Sequence, residues 1–266
     1  MRVAAVVEQA WDPASIEFDA ATGGIDWRRA APQPGPGSLD AVEVGLRLGD
    51  GVVAYAIGDE GCDDLLRRCA AMGAEVARAP SLEALVAALA AERFPLVVGP
   101  ARSGDESPSP LTSMLAALLD VPGVGAVEWL QLETSGDAAT LRRRLDRGAR
   151  EELWVPLPAV LGVEPGVATP RQASPAAVLA ARHTEVPVLP EADAVLHRPE
   201  LLGYRPPRPA PPRVRPPDPS LPAAARIAAV VGTGDAGHHR ELVSGTPEQL
   251  AVRIVAFLEE RGRLPG

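Results

Sequence analysis

The sequence predicts an α/β protein: a mainly parallel sheet with flanking helices, extended by a β-hairpin and a long C-terminal arm that ends in a helix. Three observations predict it. Short apolar runs alternate with capped, amphipathic segments from residue 1 to residue 120. From Val124 the alternation stops, and strand-like runs follow one another without helices between them. A proline- and arginine-rich stretch, residues 205–219, then sets a final helical segment apart from all that precedes it.

Arg2–Val7 is an apolar run of the kind a strand covered on both faces requires. After a Gly- and Pro-rich connection, Ser38 reads as an N-cap, and Leu39, Val42 and Leu46 as the inner face of a first helix ended by Gly49. Val52–Ile57 is the second strand, broken at Gly58. Asp63–Met72 is the second helix, stopped by a C-terminal glycine, Gly73. Glu75–Ala79 is the third strand, and Ser81 caps a third helix reaching Glu92. Phe94–Gly99 is the fourth strand; a polar loop, "PARSGDESPSP", leads into a helix over Leu111–Leu119. "AVEWLQLE", "ATLRRRLD" and "EELWVPLPAVLGVE" read as strands, with Asp146-Arg147-Gly148 turning the hairpin. Pro175–Arg182 is a helix candidate. Residues 205–219 hold eight prolines, which excludes a helix or a central strand. Beyond them "ARIAAVVGTG" predicts one more strand, and Thr246-Pro247 opens a terminal helix.

Composition narrows the function. With 46% hydrophobic and 23% charged residues the chain has an ordinary globular make-up, and all of its basic residues are arginine. A net charge of −9 argues against a general nucleic-acid binder, which needs clustered positive charge. No apolar run reaches the roughly 20 residues of a membrane span, and the N-terminus reads as a buried strand rather than a signal peptide. Cys62 and Cys69 read as half-buried residues of one helix, about two turns apart and too far for a disulfide. A reducing cytoplasm is the expected setting.

Most chemical motifs fail on context. Gly232–Gly237 has the G-x-G-x-x-G shape, but no helix follows directly and no following strand supplies an acid some twenty residues on. His238-His239 lack companion ligands, so no metal site is expected. Ser103, Ser107, Ser109 and Ser113 lie outside any G-x-S-x-G elbow, and no base–nucleophile pair suggests catalysis. The loop Gly99–Ser113 is different. It follows a parallel strand and precedes a helix, where open α/β sheets hold ligands, and the helix amides with Ser109 and Thr112 supply donors.

Five segments, in order, resemble the beta subunit of electron transfer flavoprotein. "MRVAAVVEQAWD" resembles that family's opening strand, usually followed by a basic pair and an Asp. "PGSLDAVEVGLRL" keeps Ala41, Glu43, Arg47 and Leu48 of its first helix, and "IGDEGCDDLLRRCAAMGAE" its second helix and M-G-A-D join. "LDRGAREELWVPLPAVLGVE" resembles its D-G-G-x-x-E hairpin, and "TPRQASPAAVLAAR" the following P-R-Y run. The resemblance implies an adenine-nucleotide-hydrolase-like domain over residues 1–182 and a partner-contacting arm over 183–266. It implies FAD shared with an alpha subunit, a structural AMP, a flavin dehydrogenase as electron donor, and a quinone reductase or other acceptor. It carries cofactor contacts to Val6, Trp11, Pro36, Ile57 and Gly99, and to Asp105, Ser107, Ser109 and Thr112 in the phosphate loop. Ser109, Pro110, Leu111 and Thr112 stand where the family has Asn, Gln, Thr and Gly, so proline removes one amide donor. These departures fit a divergent branch, such as the one that accompanies the mycofactocin redox system. The other readings are an adenine-nucleotide-binding regulatory protein without a redox role and, third, an enzyme. The arm's apolar stretches, Val186–Leu189 and Ile227–Val231, are expected to gain burial only against a partner.

Overall fold

The computed structural model describes residues 1–19, 21–26, 29–105, 107–192, 220–231 and 243–260. The chain divides into two compact units, Met1–Pro206 and Pro207–Gly266. The first unit is built on β1 (Arg2–Val7), β6 (Gly51–Ile57), β7 (Glu75–Ala79), β8 (Leu96–Pro100), β9 (Gly123–Leu132), β10 (Ala138–Arg144), β11 (Arg150–Pro156) and β12 (Ala159–Val163). These eight form one sheet in the order β11-β10-β9-β12-β8-β1-β6-β7. β7, β6, β1, β8, β12 and β9 are parallel, and β10 runs antiparallel between β9 and β11. The chain leaves β1 towards β6 on one side and comes back as β8 on the other. The gap between the carboxyl ends of β1 and β8 is therefore the switch point where such sheets hold ligands.

Strand alternation divides the core between the two faces. Val3, Ala5 and Val7 face α1 (Ser38–Leu48) and α2 (Asp63–Met72). Ala4 and Val6 face α3 (Leu82–Glu92) and α4 (Leu111–Leu119). Fully burying one such Val or Leu stabilises the fold by roughly 1.5–3 kcal/mol. Gly73 closes α2 at φ 107°, a left-handed conformation that a side chain would strain. Ser81 accepts from the Ala84 amide at 3.1 Å and caps α3. Ser174 does the same for the Ala177 amide at the start of α5 (Pro175–Ala181). In the hairpin Arg143 faces Glu151 across the pair at 2.6 Å, while Arg142 pairs with Glu128 on β9 at 2.9 Å and Arg144 with Glu164 at 3.2 Å.

The first helix holds a charged latch. Glu43, 5% exposed at its side chain, accepts from Arg171 Nε at 2.8 Å and Arg47 Nε at 2.9 Å. The Arg171 backbone amide adds a bond at 3.1 Å. Burial alone would raise the Glu43 pKa, but these bonds outweigh it and hold it down to about 2. Glu43, Arg47 and Arg171 come from two separate resembling segments, and the fold joins them at one point.

Several expectations are corrected. Ser38 is not the cap of α1 but its first residue, fully buried. Gly37 caps the helix at φ 81°, and the Ser38 hydroxyl instead accepts from the Glu8 amide at 3.0 Å. The Gly- and Pro-rich connection contains two small ladders, β2 (Gln9–Trp11) with β5 (Pro32–Pro34) and β3 (Glu17–Asp19) with β4 (Gly24–Asp26). Cys62 precedes α2 in a tight turn, and both cysteines are buried rather than half-buried. Val186–Leu189 does not wait for a partner. Leu189 donates to the Arg78 carbonyl and Arg78 to that of Pro187, both at 2.8 Å, at the β7 edge, and Val186 and Leu189 pack on the two cores.

The second unit contains α6 (Ala223–Val231) and α7 (Pro247–Glu260). "ARIAAVV" is thus helix, not strand: its alanines are the best helix formers, and Pro222 sits just before the first turn. Thr246 caps α7, as the sequence predicts, and the Gln249 side chain in turn accepts from the Thr246 amide at 3.1 Å. The Gly232–Gly237 motif, His238-His239 and the proline-rich stretch 205–219 lie outside the described residues.

Candidate functional site

The switch point brings together Val6, Gly99, Ser109 and Thr112, and adds a residue the sequence did not single out, Glu8. β1 delivers Val6 to the core beneath and Glu8 to the rim. β8 passes Gly99 beside Val6, and α4 begins above with Thr112. Ser109 is buried and donates to Glu8 Oε1 at 2.5 Å. Burial raises the Glu8 pKa, the Ser109 bond opposes that rise, and nearby Asp105 adds to it. The Thr112 side chain, also buried, lies over the sheet. A Cβ at Gly99 would come within 2.9 Å of its Cγ2, and a Cβ at Gly162 within 2.9 Å of its Oγ1. The two glycines give Thr112 its seat.

This arrangement does not fit an adenylate phosphate. The phosphate would meet the Glu8 carboxylate, at the place where the resembling strand carries a basic pair. The Ser109 hydroxyl is already committed, Thr112 fills the space over the glycines, and Pro110 offers no amide. Past Thr112, towards β12, a cavity of about 390 Å³ is lined by Arg102, Arg143, Arg144 and Glu164. Arg102 and Arg144 both reach Glu164, at 2.9 and 3.2 Å, so a carboxylate of the chain already sits among the guanidiniums.

The remaining expected contacts lie elsewhere. Ile57 ends β6 and is half-buried against the α3–α4 core. Asp105 and Ser107 bond to each other in an exposed turn, Ser107 donating through its amide at 3.0 Å and its hydroxyl at 2.5 Å, which lowers the Asp105 pKa. Glu106 lies outside the described residues. Trp11 and Pro36 lie at opposite ends of the small β2–β5 ladder. The β2–β5 pairing sets Trp11 opposite Pro32, and Pro36 follows β5 into the left-handed turn at Gly37 that starts α1. Both are half-buried. Pro36 stands just before the N-terminus of α1.

A mostly parallel eight-stranded sheet with helices on both faces, its switch point filled by Glu8, Ser109 and Thr112, defines an α/β fold. The model described as the electron transfer flavoprotein domain matches residues 27–194, more than half of the chain, and the chain belongs to that family. It is similar to the electron transfer flavoprotein subunit beta of Methylophilus methylotrophus, 29% identical over 135 residues, which cover 46% of this chain and 51% of that protein. The match thus spans about half the length of that relative. The chain is a divergent, beta-like member of the family. Among the described residues no helix is long and apolar enough to cross a membrane, and no group of His, Cys, Asp and Glu is arranged to hold a metal.

Proposed function

We propose that this chain is the beta-type half of a two-chain electron transfer flavoprotein. It shares one FAD with an alpha-type partner and carries electrons from a flavin dehydrogenase to a quinone reductase or another acceptor in the cytoplasm. FAD supplies the electron chemistry when bound. Trp11, Pro36 and the start of α1 shield and orient one side of it, and no residue of the chain acts as a catalyst.

One observation carries the reading: the outer face of the hairpin exposes two tryptophans. Trp154 on β11 is 65% exposed and Trp129 on β9 39%, and the pairing of β9, β10 and β11 puts both on the face opposite the buried Leu141 and Val155. An exposed tryptophan on the edge strand β11, with a second on the same face of β9, is a feature of surfaces that another chain covers. The alternative, a nucleotide-binding regulatory protein, needs an open phosphate loop, and the Glu8, Ser109 and Thr112 packing argues against it. Co-expression with a candidate alpha chain tests the proposal: a yellow one-to-one complex on gel filtration is expected, and a colourless monomer under those conditions contradicts it.

A further inference from the structure

Away from the switch point, α2 and α5 enclose a cavity of about 520 Å³ with an unusual lining. In a chain of net charge −9, four arginines meet there. Arg67 and Arg68 come from α2, Arg171 from the segment before α5, and Arg182 from just after it. Their commitments differ. Arg171 is held by Glu43, and Arg67 bonds Asp64 at 3.0 Å and lies 3.9 Å from Asp63. Arg68 and Arg182, both exposed, have no carboxylate within ion-pair distance among the described residues. Asp64 is the one carboxylate in the lining, and its side chain is 90% exposed. The floor is apolar: Leu39, Met72 and Ala181 close it, and Val178 stands at its side, 42% exposed.

We infer that this cavity binds a carboxylate carried on an apolar body, with Arg68 and Arg182 taking the charge and the Leu39–Met72–Ala181 floor taking the apolar part. Two arginines left without counter-charges beside a third and a fourth repel one another, and an anion relieves that repulsion. An apolar floor gives a bare inorganic anion nothing to bury, so the ligand has a hydrocarbon part. The chemistry has two sources, a free acyl carboxylate or an acidic side chain next to an apolar one on a protein. The inference is independent of the flavin and of the alpha chain.

Titration calorimetry on the full chain at low salt tests it with four probes: octanoate, an acetylated peptide containing a Leu-Glu pair, octanol and pyrophosphate. Saturable one-to-one binding of octanoate or of the peptide is expected, and the tighter of the two identifies the source. Octanol and pyrophosphate bind at least about tenfold more weakly, because each lacks one half of the recognition. Changing Arg68→Gln together with Arg182→Gln lowers the affinity about tenfold or more with the melting temperature unchanged, since both side chains are exposed. The charge-keeping pair Arg68→Lys and Arg182→Lys retains most of it. Binding by the double Gln variant as tight as by the unaltered chain overturns the inference. So does pyrophosphate matching octanoate, or no binding of either carboxylate probe.

Discussion

Glu8 and Ser109 stand 101 residues apart and meet at 2.5 Å. Neither is informative alone: an acid after a buried strand is ordinary, and so is a serine before a helix. Sequence reading therefore found Ser109 and Thr112 by their place after a parallel strand, but it missed Glu8, whose role exists only through its distant partner. The titration sign is definite. A carboxyl whose folded pKa is raised costs the fold stability above that pKa, and the cost vanishes as pH falls below the ordinary value of 4.5. Glu8→Gln is therefore expected to raise the melting temperature at neutral pH and to converge with the unaltered chain near pH 4, as followed by circular dichroism. Ser109→Ala leaves that carboxylate without its donor and is expected to cost about 1.5–3 kcal/mol in urea unfolding at pH 7.

At the level of elements, the latch of Glu43 with Arg47 and Arg171 shows why charged positions in the family pattern stand where they do: they fasten α1 to the segment that leads into α5. Glu43 carries the opposite pH signature to Glu8. Its folded pKa is depressed, so its contribution is present above pH 4.5 and lost as pH falls towards about 2. Glu43→Gln is expected to cost about 1.5–3 kcal/mol at pH 7, because the charge-assisted bonds from Arg47 and Arg171 to this buried carboxylate are lost. The difference from the unaltered chain should shrink in acid. Elements with a strong local stop were legible to the residue: α2 ends at Gly73, and α4 spans the predicted Leu111–Leu119. The ladders between residues 9 and 34 were not, because three-residue strands among glycines and prolines show no periodicity. "ARIAAVV" is a short apolar run that fits strand and helix alike, and its alanine content decides for the helix.

For the whole molecule, the fold class and the parallel order follow from strand–helix alternation, whereas the filled crevice depends on contacts no local pattern encodes. Trp154→Ala should leave the free chain's stability within about 0.5 kcal/mol, as for an exposed side chain. It should weaken an alpha-chain complex by about 2 kcal/mol, roughly thirtyfold, if that face is the interface; sedimentation equilibrium reads both states. The central claim is that this chain supplies one side of a flavin site and holds no nucleotide of its own. The most direct measurement is the content of FAD and AMP, by chromatography of denatured samples, in the chain purified alone and in the co-expressed pair. The account predicts neither in the single chain and one FAD without AMP in the pair; stoichiometric AMP, or flavin retained by the chain alone, would contradict it.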